Sequence, residues 1–126
     1  MPLVRIEIQS GHTREYKNTL LQAVHDGLVT ALQIPEDDRH QRLYELAPED
    51  FLNPGKTERL TVIELTLFPG RSREMKRAAV AEITRLLGER LDIEPSDVFI
   101  TITEPPLDNW GLLGQLASNL GFEYKK

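Results

Sequence analysis

Residues 70–76 read Gly70-Arg71-Ser72-Arg73-Glu74-Met75-Lys76, and residues 11–17 read Gly11-His12-Thr13-Arg14-Glu15-Tyr16-Lys17. In each stretch a turn leads to Ser or Thr with Glu two residues later, which predicts a helix N-cap at Thr13 and at Ser72. The same offset of 59 positions relates apolar residues on both sides and one pair of aspartates: Val4, Ile6 and Ile8 to Ile63, Leu65 and Leu67; Val24, Leu28 and Leu32 to Ile83, Leu87 and Leu91; Ile34 to Ile93; and Asp38 to Asp97. One offset that aligns strand, cap, helix face and helix end indicates an internal duplication.

Outward from these two stretches, the spacing of apolar residues predicts two β-α-β units. Strands are expected within residues 1–9 and over 41–46, 59–68 and 98–103, with helices over about 14–33 and 73–91 and a loop over 47–58. Right-handed crossovers allow both helices to cover one face of a four-stranded sheet. The prediction is an α+β fold of duplicated β-α-β units with short additional C-terminal elements, in one domain (1–126) with repeats 1–58 and 59–126.

The uncovered face of this sheet predicts self-association. Its expected residues mix apolar and charged side chains: Leu3, Arg5, Glu7, Val62, Glu64, Thr66, Phe99, Thr101 and Thr103. Such a face is too apolar for water and too charged for a dry core. Packing against other copies of the chain resolves both difficulties, so a homo-oligomer is expected.

Composition excludes several classes of function. A chain of 126 residues supports a single core. No apolar run approaches 18 residues and no signal sequence is evident, so a cytoplasmic location is expected, without a membrane partner. The net charge of −5 argues against nucleic-acid binding. The chain has no cysteine, and its three histidines lack ligand spacing, so no metal site is expected.

Pro2 is the first candidate for chemistry. Initiator methionine is normally removed before a small second residue, so the mature chain would begin with a secondary amine at a strand end. An α-amino group has a pKa of about 7.7 to 8.0, and burial or a nearby cation lowers that pKa toward values that suit a general base. A pseudo-twofold axis would bring Pro2 toward the turn at residues 70–72. The alternative is structural, because proline suits the first residue of a strand.

Arg71 and Asp38 are candidates for the same site. Arg71 precedes a helix N-terminus, where free backbone N–H groups and the helix dipole favour an anion, so it could clamp a carboxylate. Asp38 could hydrogen-bond the ammonium form of Pro2 or orient a water. Each residue also has an ordinary interpretation, Arg71 as a solvated turn residue and Asp38 as a turn former.

Three further residues could line a cleft. His25 falls at the rim of the buried helix stripe, where a hydrogen-bonded, partly buried role is the alternative to substrate binding. Glu104 ends the last strand, and Trp110 follows a Pro-Pro turn. Trp110 could instead anchor a subunit interface.

Together these residues resemble the tautomerase superfamily. The resemblance rests on Pro2, the duplicated units, Phe-Pro-Gly-Arg-Ser at 68–72 and Glu-Pro-Pro-Leu-Asp-Asn-Trp-Gly at 104–111. The most similar branch contains malonate semialdehyde decarboxylase, through Val-His-Asp-Gly at 24–27 and Ile-Pro-Glu-Asp-Asp-Arg at 34–39. The resemblance implies Pro2 as catalytic acid or base, Asp38 and Arg71 as catalytic partners, a homotrimer with sites near subunit boundaries, and no metal or organic cofactor.

One departure guides the choice of reaction. The decarboxylase and the related cis-chloroacrylate dehalogenase carry a second arginine where this chain has Phe68-Pro69. A single arginine suffices to hold a 2-oxo acid while proline moves a proton, and Phe68 suits an apolar or aromatic substrate. We therefore predict keto-enol tautomerisation of a small carboxylate substrate. The alternatives are decarboxylation or hydration of a three-carbon acid, and a non-catalytic trimeric binding protein.

Overall fold

The computed structural model describes residues 2–121, so the predicted removal of Met1 and the tail at 122–126 lie outside the described residues. Four strands, β1 (Leu3–Gln9), β2 (His40–Leu46), β3 (Thr61–Thr66) and β4 (Val98–Thr103), form one sheet. Two 19-residue helices, α1 (Arg14–Leu32) and α2 (Arg73–Leu91), connect β1 to β2 and β3 to β4. A short hairpin of β5 (Gly111–Leu112) and β6 (Gln115–Leu116) follows β4.

The sheet has the order β2-β1-β3-β4, which is symmetric about its central pair. β1 is parallel to β2 and β3 is parallel to β4, whereas β1 and β3 are antiparallel, with Leu3 opposite Thr66. The predicted α+β fold is confirmed. β3 is shorter than the predicted strand over 59–68, and α1 ends one residue before Gln33, which adopts a left-handed conformation.

Alternation along the strands separates the two faces as predicted. Val4, Ile6 and Ile8 are fully buried and pack in one core with apolar residues of both helices. The other face is only half-buried at Arg5 and carries Phe99 at 47% exposure. Neither helix of the described chain is long and apolar enough to cross a membrane.

The helices of the two repeats have similar caps at both ends. The Thr13 and Ser72 hydroxyls each accept a hydrogen bond from the backbone N–H three residues on, at 3.0 and 3.2 Å, so both predicted N-caps are present. At the other ends, Gln33 and Asp92 are left-handed C-caps with the same φ of 56°. These equivalences favour a duplication, and the division at residues 58 and 59 stays a prediction.

The helices approach closely where Gly27 of α1 faces α2. A Cβ atom at Gly27 would lie 2.8 Å from Ile83 Cγ1 and 3.1 Å from the Ile83 backbone nitrogen. Backbone atoms cannot turn aside as a flexible side-chain end can. The absence of a side chain at Gly27 therefore sets the distance between the helices.

We expect Gly27→Ala to destabilise the fold by about 1–3 kcal/mol, because overpacking outweighs the gain in helix propensity. The matched control is Gly88→Ala in α2, where a Cβ would meet only the Ile93 carbonyl oxygen at 3.4 Å. Chemical denaturation measures both variants. Equal stability of the two variants would contradict the close-contact explanation.

Candidate active site

One edge of the sheet collects the ends of all four strands. Leu3, the first residue of β1, pairs with His40 at the start of β2 and with Thr66 at the end of β3, which in turn pairs with Thr103 at the end of β4. Residues that precede β1 and β2 or follow β3 and β4 therefore lie at this edge, which we call the site edge. The predicted residues at the site edge are Pro2, Asp38, Phe68, Arg71 and Glu104.

Arg71 supplies a buried cation at the site edge. It lies between the end of β3 and the Ser72 N-cap of α2, with 5% of its surface exposed. Burial lowers the pKa of Arg71 to about 10, while the carboxylates of Asp38 and Glu104 act on that pKa in the opposite direction. The guanidinium therefore stays charged at neutral pH. A desolvated cation beside a helix N-terminus is suited to binding a carboxylate.

An aromatic pair forms an apolar wall at the same edge. Phe68 and Trp110 are 5% and 6% exposed, and their ring centroids are 4.7 Å apart in an edge-to-face arrangement. The Trp110 indole Nε1–H donates to the Pro105 carbonyl at 3.0 Å, which fixes the ring. Leu3 and Ala117 belong to the same cluster. Pro2 is buried and directly precedes Leu3 of this cluster, at the same edge of the sheet at which Arg71 follows β3.

His25 of α1 contacts the loop that carries Asp38. This histidine is 2% exposed, deeper than the predicted rim position, and its Nε2 lies 2.8 Å from the Glu36 carbonyl oxygen, to which it can donate. Asp38 itself lies 3.6 Å from the His40 ring. His25 thus contacts the loop before Asp38, and its predicted role in substrate binding stays a prediction.

Lys76 is a residue of the site edge that the sequence interpretation missed. Its Nζ forms an ion pair with Glu104 Oε1. The offset between the repeats contained the signal, because Lys17 and Glu45 are the corresponding pair and their side chains meet at 2.7 Å. Comparison of the repeats beyond Asp38 and Asp97 would have identified it.

The opposite edge of the sheet uses the corresponding positions differently. A cavity of about 490 Å³ opens there and is lined mainly by the loop over residues 48–60. Asp97, the counterpart of Asp38, is 2% exposed and accepts hydrogen bonds from the backbone N–H and hydroxyl of Thr57. Thr61 occupies the position that corresponds to Pro2. The predicted site residues therefore gather at one edge of the sheet and not at the other.

Comparison with known proteins agrees with the arrangement of these elements. A family model described as tautomerase enzyme matches residues 38–113, more than half of the chain, and a second model with the same description matches residues 2–57. The chain belongs to the tautomerase family. A probable tautomerase of Bacillus subtilis, YusQ, is 27% identical over 87% of this chain and 91% of its own length. Activity of the tautomerase superfamily is therefore supported, and the relatives named tautomerases support an isomerase.

Solved structures extend this likeness to the whole described fold. The FG41 malonate semialdehyde decarboxylase inhibited by 3-bromopropiolate is 33% identical, with a TM-score of 0.82 over 94% of this chain and 95% of that one. A fused 4-OT described as an asymmetric trimer is 27% identical, with a TM-score of 0.87 over 95% of this chain and 99% of that one. The resemblance to the tautomerase superfamily and its decarboxylase branch is confirmed.

The position of His25 leads to a test of its role. We expect His25→Ala to lower the free energy of unfolding by about 2–3 kcal/mol, because a buried side chain and its hydrogen bond are lost. His40→Ala is the control, since that side chain is 49% exposed and should change stability by less than about 0.5 kcal/mol. Denaturant titration gives both values. Unchanged stability with a raised KM would instead assign His25 to substrate binding.

Proposed function

We propose that the protein is a cofactor-independent keto-enol tautomerase of 2-oxo acids, with Pro2 as acid and base after removal of Met1. The observation that carries the proposal is the position of Pro2, buried at the site edge where the buried cation Arg71 follows β3. Burial and a neighbouring guanidinium both favour a neutral amine. A neutral amine at physiological pH can remove a proton from carbon and return it.

The proposed reaction divides between the two residues. Arg71 binds the substrate carboxylate and the oxygen on which negative charge develops, because a desolvated guanidinium stabilises both. Pro2 removes a proton from the carbon next to the keto group, or donates one to that carbon of the enol. Asp38 orients Pro2 or a water. These roles need no metal and no organic cofactor.

Phe68 and Trp110 support a substrate with an apolar or aromatic group. Their rings form a dry wall with Leu3 and Ala117, and dispersion contacts with such a wall favour an apolar substituent over a charged one. Phenylenolpyruvate has the required carboxylate, enol and aromatic ring. It is the substrate that we propose for assay.

We also propose a cytoplasmic homotrimer. The open face of the sheet supports self-association, because it exposes Phe99 beside charged residues. The fused 4-OT described as a trimer favours three subunits.

Decarboxylation or hydration of a three-carbon acid is the second candidate. It is favoured by the 33% identity to FG41 malonate semialdehyde decarboxylase and by Asp38 at the site edge. Release of acetaldehyde from malonate semialdehyde would support it. The single arginine at positions 68–72 favours tautomerisation instead.

Arg71→Gln tests the carboxylate clamp. Loss of the guanidinium should lower kcat/KM for phenylenolpyruvate by about 100-fold or more, as removal of one preorganised donor does in other enzymes. Arg73→Gln is the matched control, because its side chain is 89% exposed two residues away. Its activity should stay within about twofold of wild type. A folded Arg71→Gln variant with wild-type kcat/KM would exclude Arg71 as the clamp.

Pro2→Ala tests the base. With removal of Met1 verified by intact mass, turnover should fall by about 10²-fold, within the range of general acid-base catalysis, because the primary amine of the Ala variant lacks the ring that fixes the proline nitrogen. Full turnover by the processed variant would contradict the role of Pro2. Retention of Met1 in the wild-type protein would make the Pro2 nitrogen an amide, and would favour a non-catalytic trimeric binding protein.

A further inference from the structure

The ion pair of Lys76 and Glu104 leaves one carboxylate oxygen unexplained. Lys76 Nζ contacts Oε1 of Glu104. Oε2 is buried and has no hydrogen-bond donor among residues 2–121. A buried carboxylate oxygen is costly without a donor, so such an atom in a folded protein calls for an explanation.

The other repeat shows which part of this arrangement is inherited. Lys17 and Glu45, 59 positions earlier, form the same ion pair at 2.7 Å, but Glu45 is exposed and its carboxylate is open to water. The Lys–Glu ion pair is therefore a feature that both repeats share. The buried second oxygen is particular to Glu104, which follows β4 at the site edge.

The neighbours of Glu104 suggest the missing donor. Glu104 follows Thr103, which pairs with the end of β3, the strand that leads to Arg71, so both groups lie at the site edge. The charges of Glu104 and Asp38 both act on the Arg71 guanidinium. In the reaction proposed above, Arg71 binds the substrate carboxylate, and Pro2 transfers a proton to or from the carbon next to the keto group. The enol hydroxyl is the remaining donor of the substrate, and neither residue accepts its proton.

We propose that Glu104 is a further catalytic residue, whose Oε2 accepts the proton of the enol hydroxyl, and that Lys76 is its positioning residue. This inference rests on the proposed function. As the enol becomes the keto acid, its O–H bond breaks and the proton passes to Glu104 Oε2. The O–H electron pair forms the carbonyl bond, and the former C=C pair takes a proton from the protonated form of Pro2, which is in equilibrium with the neutral amine. The proton on Glu104 then returns to the Pro2 nitrogen through solvent.

Lys76 contributes by fixing the carboxylate. The contact with Lys76 restrains Oε1 of Glu104 and leaves Oε2 without a donor among residues 2–121. Loss of the lysine would let the carboxylate rotate while it keeps its chemistry. The expected effect on turnover is therefore smaller than that of changing Glu104 itself.

The experiment compares both ion pairs in the full-length protein with Met1 removed. Glu104→Gln should lower kcat for phenylenolpyruvate ketonisation by about 100-fold or more, with KM within about threefold, because Gln keeps the shape but accepts no proton. Glu104→Asp should recover part of kcat. Lys76→Met should lower kcat by about tenfold. The matched controls, Glu45→Gln and Lys17→Met, should keep wild-type kcat and KM.

The outcomes separate this inference from the proposed function. Wild-type kcat in a folded Glu104→Gln variant, while Pro2→Ala remains inactive, would overturn the role of Glu104 alone. Equal losses in the Glu104→Gln and Glu45→Gln variants would also overturn it, because they would reduce both pairs to structural supports. Wild-type protein that fails to ketonise the substrate would overturn the proposed function and this inference with it. Thermal unfolding of each variant verifies that the fold persists.

Discussion

The antiparallel pairing of β1 with β3 is the constraint on which the candidate site depends. Because Leu3 lies opposite Thr66, the beginning of the chain lies beside the turn that leads into α2. A parallel arrangement of these two strands would place Pro2 and Arg71 at opposite edges of the sheet. The register also sets the limit of β3, since the residue opposite Leu67 would be Pro2, whose ring nitrogen has no amide hydrogen within the chain to extend the ladder.

The symmetric strand order gives the sheet two similar edges. They differ at a few corresponding positions, among them those of Pro2 and Asp38. At the opposite edge, Thr61 follows Leu60 in the chain, so its nitrogen is a peptide amide without base strength, and Asp97 uses its carboxylate to hold Thr57. That aspartate stabilises the loop over residues 48–60. The comparison indicates how one framework can carry chemistry at one edge and structural hydrogen bonds at the other. In the proposed function, removal of Met1 turns the Pro2 nitrogen into an amine, whereas the peptide bond with Leu60 keeps the Thr61 nitrogen an amide.

Local rules predicted the helices and the strand faces, whereas contacts distant in sequence were harder to predict. Thr13 and Ser72 were predicted as N-caps because capping depends on a few adjacent residues. Strand ends depend on partners, so β3 was predicted too long. The contact of Lys76 with Glu104 spans 28 residues, so no local pattern marks it, and only the recurrence of Lys17 and Glu45 at the offset of 59 points to it. The depth of His25 depends likewise on the path of the loop at Glu36, which periodicity does not specify.

Burial of Arg71 makes its charge both costly and effective. Burial lowers the pKa of Arg71 to about 10, and the same desolvation strengthens the attraction of its guanidinium for an anion. The cost is limited because Asp38 and Glu104 act on the guanidinium from nearby. The carboxylates of Asp38 and Glu104 with the single guanidinium of Arg71 carry a net negative charge, which would repel a carboxylate substrate unless another cation neutralises one of them. Lys76 provides that charge, so its pairing with Glu104 leaves Arg71 able to attract a carboxylate while Glu104 stays beside it.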